Sequence, residues 1–142
     1  MESNKMKLII IISFCINFLP LITFSQEWLP YSSNEKLQID YKYMTCNDDA
    51  NGIHQEKVLF KYTNLTENSL DVSLSITSSY INNGKEYSTK PDVKIINLIL
   101  SPGQVLEGTC QEKNKALFLF SKMIDTEASA LKNFTIIINE IK

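Results

Sequence analysis

From residue 37 onward the apolar side chains recur at every second position rather than at helical spacing, the signature of half-buried strands. Leu37, Ile39, Tyr41 and Tyr43 alternate with Gln38, Asp40 and Lys42. Val58, Phe60 and Tyr62 alternate with Lys57, Lys61 and Thr63, and Leu70, Val72, Leu74 and Ile76 with Asp71, Ser73, Ser75 and Thr77. Met44 and Cys46 fall on the wrong parity for the first set, which predicts a bulge or twist near Tyr43. Asn83-Gly84 supplies the positive-φ residues of a tight hairpin turn, and the returning strand over residues 85–89 ends by Pro91.

Ile96, Leu98 and Leu100 form another core-facing set, stopped by the turn signal Ser101-Pro102-Gly103. A strand over residues 105–111 is expected to carry Leu106 and Cys110 inward. Residues 116–120 are apolar on both parities and predict a central strand covered on both faces, and residues 134–141 predict a nearly as apolar final strand. Only residues 126–132 read as a helical turn, capped by Thr126 or Asp125. Seven to nine short strands punctuated in this way predict an all-β domain. Of the two closed all-β solutions, sandwich and barrel, an antiparallel sandwich of immunoglobulin-like (fibronectin III-like) type is the expected architecture. The chain stops directly after the last strand, so no C-terminal anchor or sorting domain is expected.

The head of the chain follows a different pattern. Lys5 and Lys7 precede an apolar run over residues 8–19 broken only by Ser13 and Asn17, and Thr23-Phe24-Ser25 places small side chains at the −3 and −1 positions before Gln26. This is the layout of a cleaved secretory signal peptide. A membrane anchor fits less well, because residues 8–24 contain Asn17 and Pro20 and fall short of the ~20 apolar residues a spanning helix needs. Cys15 follows Phe14 in mid-segment, which is not the small-residue context of a lipoprotein acylation site. The domain organisation expected is a signal peptide, residues 1–25, and one domain, residues 26–142.

Charge and cysteine usage then narrow the function classes. The mature part carries 12 Lys against 15 acidic residues, a net charge of −3, and no Arg occurs anywhere. Guanidinium forks for phosphate or carboxylate are absent, and without a basic cluster neither nucleic acid nor an anionic membrane is an expected partner. Cys46 and Cys110 remain after cleavage, and an even pair in an exported chain predicts a disulfide. In the chain-entropy description such a loop closure stabilises by roughly 4 kcal/mol.

The segments Glu27-Trp28-Leu29-Pro30, KVLFKYTNLTENSLDVSLSI (57–76), INLILSPGQVLEGTC (96–110), ALFLFSKMI (116–124) and FTIIINEI (134–141) are similar to those of a set of small exported proteins of flavobacterial type. Its most specific element is Asn64 after one strand, paired with a Pro-Gly turn leading into Gly108-Thr109-Cys110. The resemblance extends over nearly all of the mature chain. It implies export and an immunoglobulin- or fibronectin-like sandwich, and it implies no activity and no functional residue.

The residues that could carry chemistry are few. His54 is the only histidine, so any nucleophile–His arrangement must use it. It lies in a polar loop with no partner visible in sequence. One His and two distant Cys fall short of a zinc site. Asn47, Asp49, Asn51 and Gly52 occupy positions 1, 3, 5 and 6 of a calcium loop. Position 12, however, is Val58 instead of a bidentate Glu, and position 1 lacks charge. Asn47–Gly52 therefore reads as an Asx-turn hairpin, with calcium testable by titration.

Glu107, Glu112, Glu127 and Glu140 fall on turns or outward positions, which suits solvated faces better than a paired-carboxylate site. No glycine-rich phosphate loop is present. Asn64-Leu65-Thr66 and Asn133-Phe134-Thr135 are glycosylation sequons, relevant only to a eukaryotic secretory route. Trp28 and Tyr31 could anchor a partner, but a large apolar side chain in a small domain more readily covers the core. Trp28 is therefore expected to cover one end as part of the first strand.

The expected function is that of a non-enzymatic binding or interaction module, without cofactor or metal, secreted or periplasmic, whose partner is another surface or periplasmic protein. The competing expectation is a small-ligand or calcium-binding carrier, or an enzyme with an unrecognised site. A concave pocket holding His54 beside a carboxylate would favour the second.

Overall fold

A computed structural model describes residues 27–89, 95–126 and 129–142. The segment expected as a signal peptide, residues 1–25, together with Pro91, Glu127 and part of the expected 126–132 turn, lies outside the described residues. Alternation of apolar and polar side chains becomes nine antiparallel strands: β1 (Leu29–Ser33), β2 (Leu37–Asp48), β3 (Ile53–Asn64), β4 (Leu70–Asn82), β5 (Lys85–Ser88), β6 (Ile96–Leu100), β7 (Val105–Glu107), β8 (Phe118–Met123) and β9 (Ala130–Ile141). No helix occurs among the described residues.

The strands join in one curled sheet of order β1-β2-β3-β8-β9-β4-β5, with β6 added to β4 and β7 to β3. Its two halves meet at a single bridge, Lys122 opposite Ala130. The chain passes between the halves three times, from β3 to β4, from β6 to β7 and from β8 to β9. Enclosed by the curl is one apolar core. Leu37 and Ile39 of β2 and Val58, Phe60 and Tyr62 of β3 come from one half, and Val72, Leu74, Leu98, Leu100 and Ile136 from the other. Phe134 closes the core at one side, with its ring 5.4 Å from those of Tyr41 and Phe60 and stacked on Tyr31 at 5.6 Å.

Asn83-Gly84 turns with φ of 48° and 74°, placing Asn82 opposite Lys85, because only residues tolerant of the left-handed region allow this two-residue connection. At the opposite end, Asn64 terminates β3 with its side chain buried. Its Nδ2 donates to the carbonyls of Asn68, Leu100 and Ser101, while its Oδ1 accepts from the Thr66 backbone N–H and hydroxyl. The turn after β3 and the Ser101-Pro102-Gly103 turn are thereby held together, with Gly103 N donating to the Thr66 carbonyl.

Four expectations need correction. No bulge occurs near Tyr43: β2 and β3 pair without interruption from Leu37–Asn64 to Asp48–Ile53, so Met44 and Cys46 do lie on the face opposite Ile39 and Tyr41. The strand expected over 105–111 ends at Glu107, and Cys110 follows in the connection to β8. Ala116 and Leu117 are buried but precede β8: their carbonyls accept from the Tyr62 hydroxyl and the Phe60 N–H. Residues 130–132 open β9 and belong to no helical turn, because Ala130 and Leu131 pair with β4 and Ala130 also with β8.

Candidate functional site

Cys46 and Cys110 form the disulfide, with Cα atoms 5.3 Å apart. The bridge lies outside the core. Cys46 shares the face of Gln38, Asp40, Lys42 and Met44. Cys110 reaches it from the connection between β7 and β8, where its carbonyl accepts from Lys57 Nζ at 2.8 Å. That connection leaves the edge of β3 where Gly108 N donates to the Phe60 carbonyl and rejoins it where Phe60 N donates to the Leu117 carbonyl. A side chain at 108 would drive its Cβ into the Leu117 carbonyl, so glycine is required there by close backbone approach. The disulfide clips this excursion onto one face of the sheet.

On the same face Asp40 is buried, ion-paired with Lys61 Nζ at 3.1 Å, and accepts from Gln38 Nε2 at both oxygens. Trp28 precedes β1 and lies under Lys42 and Lys61, whose Nζ atoms are 4.4 and 4.9 Å from its ring. The indole thus packs beneath two cations on the outward face of β2 and β3, not over an end of the core. Tyr31 does reach the core. It is the extra residue of a bulge in β1, between the pairs Pro30–Asp40 and Ser32–Ile39, and its hydroxyl accepts from Ile136 N of β9 at 2.7 Å.

The residues with chemistry gather at the tip of the β2–β3 hairpin. His54 Nε2 is 3.3 Å from Asp49 Oδ1 of the hairpin, and Nδ1 is 3.2 Å from Asp125 Oδ2 of the β8–β9 connection. The His54 carbonyl accepts from Ile124 N, so backbone and ring together tie the hairpin to that connection. Sequence spacing carries no sign of Asp125, which lies far along the chain and arrives only because β8 pairs with β3. Both ring nitrogens face carboxylates. A neutral imidazole can donate to one of these carboxylates, an imidazolium to both. The arrangement is suited to clasping two loops; a general base needs a free nitrogen facing the proton it removes.

In the Asn47–Gly52 loop the Asp48 carboxylate accepts from the backbone and side-chain nitrogens of Asn51, and Gly52 takes a φ of 64°. This is the Asx-turn chemistry read from the sequence. The side chain at calcium position 12, Val58, is fully buried in the core and aims away from the loop.

Two shallow clefts flank the hairpin. One, of about 540 Å³, is lined by Thr45, Glu56, Lys122, Met123, Ile124 and Ser129 among others; the second, of about 530 Å³, runs along Asp48, Asp49, Lys57 and the disulfide. His54 lines neither. Glu56 in the first cleft accepts from the Ser121 hydroxyl at 2.8 Å and faces Lys122 at 3.9 Å. Burial chiefly, then the neighbouring Tyr41 and Glu56, raise the Tyr43 phenol above its ordinary value.

Of the two sequons, Asn64 is buried with its amide fully engaged, which leaves no room for a glycan. Asn133 is exposed and accepts from Ser79, and Phe134 beside it is half-buried against the core. Glu107, Glu112 and Glu140 do not converge. Glu112 binds the backbone of residues 113 and 114, and Glu140 pairs with Lys142.

No family model, curated protein or solved structure matches this chain. The class that fold and geometry define is therefore the structural one: an antiparallel all-β domain with one disulfide.

Proposed function

We propose that the chain is an exported immunoglobulin-like β-sandwich acting as a non-enzymatic binding module in the periplasm or outside the cell. Support for the sandwich comes from the two halves of the sheet meeting at one bridge, with the core between them and the chain crossing three times in Greek-key manner. Support for export comes from the signal-type head of the chain and from the disulfide, which persists in oxidising compartments. The resemblance to small exported flavobacterial proteins points the same way.

The observation that carries the binding role is the open edge of β9. This strand pairs with β4 along its length on one side, while on the other its described partner is β8 at Ala130 alone. An extended segment can add to such an edge by backbone hydrogen bonding. Capture of one identified periplasmic or surface protein by the chain, lost on Ile137→Lys, tests this; lysine on an edge strand discourages pairing. Substrate turnover by the purified protein that disappears in His54→Ala would overturn it in favour of an enzyme.

A further inference from the structure

Resting on the reading of β9 as the binding edge, we propose that its occupant is a second copy of this chain, paired antiparallel about Ile136. Bulges at Lys132 and Asn139, the two extra residues in the pairing with β4, bound a regular stretch at 133–138. Ile136 N reaches the Tyr31 hydroxyl and not β4, so the backbone groups of Phe134, Ile136 and Ile138 face the open edge.

The sequence across this stretch, Lys132-Asn133-Phe134-Thr135-Ile136-Ile137-Ile138-Asn139-Glu140, is complementary to its own reverse. Antiparallel pairing about Ile136 sets Lys132 against the second copy's Glu140, Asn133 against Asn139, Phe134 against Ile138 and Thr135 against Ile137. Inward side chains must meet inward ones, so the nearest alternative registers are those centred on Thr135 or on Ile137. Centred on Thr135, Lys132 meets Ile138; centred on Ile137, Glu140 meets Phe134. Of the three, only the Ile136 register opposes the two charges, and opposite charges across a strand pair stabilise it. Lys132 and Glu140 are both about half exposed, and pairing exchanges their surface partners within the chain, Glu86 and Lys142, for each other. Ile137, 45% exposed on the outer face, would be covered by Thr135 of the second copy.

Tyr31 regulates this edge. Its hydroxyl occupies the central N–H of the proposed ladder, so pairing exchanges that bond for one to the Ile136 carbonyl of the second copy. Sedimentation equilibrium of the full chain, expressed for export and purified as it emerges, should show a reversible dimer. Tyr31→Phe should tighten it about threefold or more by removing the competing acceptor. Lys132→Glu or Glu140→Lys alone should weaken it about fivefold, and the two reversals together should restore it. Mixing a Thr135→Cys chain with an Ile137→Cys chain should give a cross-linked pair under mild oxidation, a readout independent of the charge variants. A strict monomer up to about 1 mM in both wild type and Tyr31→Phe overturns the proposal, as does a dimer indifferent to the reversals that fails to cross-link. Either result leaves the capture experiment on Ile137→Lys free to decide the binding role by itself.

Discussion

At the scale of single residues, the fold is held at a few polar points that alternation of apolar side chains does not mark. Asn64 is one. Its amide serves carbonyls up to 37 positions away in sequence, so truncation removes five contacts at once and leaves buried groups unpaired. Asn64→Ala is expected to cost about 2–4 kcal/mol in denaturant unfolding, and Asn64→Asp nearly as much, because a carboxylate cannot donate to those carbonyls. The same residue reads from sequence as a glycosylation sequon, since its partners Leu100 and Ser101 become neighbours only when β6 pairs with β4.

Tyr62 is a second such point. Burial, with Tyr31 nearby adding to it, holds its phenol well above the ordinary 10.0, and its hydroxyl donates to the Ala116 carbonyl. A raised pKa means that the fold favours the neutral phenol. Its contribution is complete below pH 10.0 and is lost as pH climbs above that value. Tyr62→Phe should lower stability at neutral pH by about 1 kcal/mol and flatten the alkaline fall in urea midpoint relative to the wild type.

Among the elements, the most legible was the β4–β5 hairpin, because Asn83-Gly84 specifies its turn locally. The least legible was the 105–120 region. There a short β7, an excursion and β8 share one edge of β3, and Gly108 permits the backbone approach that starts the excursion. Gly108→Ala should cost more than about 3 kcal/mol or abolish folding, since the clash is with backbone and cannot be relieved by a side-chain rotation. The disulfide pins this excursion to a face outside the core. Reduction should accordingly lower the unfolding free energy by up to roughly 4 kcal/mol, yet leave the core strands formed. Hydrogen exchange should rise in residues 108–117 before it rises in β3 or β4.

On the scale of the whole molecule, the pairing of β8 with β3 brings Asp125 to His54, and the curl of the sheet brings Tyr31 to Ile136, two contacts between residues far apart in sequence. The His54 clasp is half exposed, so Asp125→Asn should change stability by less than about 1 kcal/mol. Millimolar calcium should leave the melting temperature unchanged, as Asp48 and Asp49 are already engaged by Asn51 and His54. The strand character of the chain, the turn at Asn83-Gly84 and the pairing of Cys46 with Cys110 followed from sequence alone. Those features depend on period-two burial, on backbone conformations that few residues tolerate, and on the number of cysteines available. Tertiary structure alone decided which face carries the disulfide, where β7 stops, what surrounds His54 and which edge of β9 meets only β8 among the described strands. Each of these depends on the neighbours that a residue meets across the sheet, and such neighbours lie tens of positions away along the chain, beyond the reach of any local pattern.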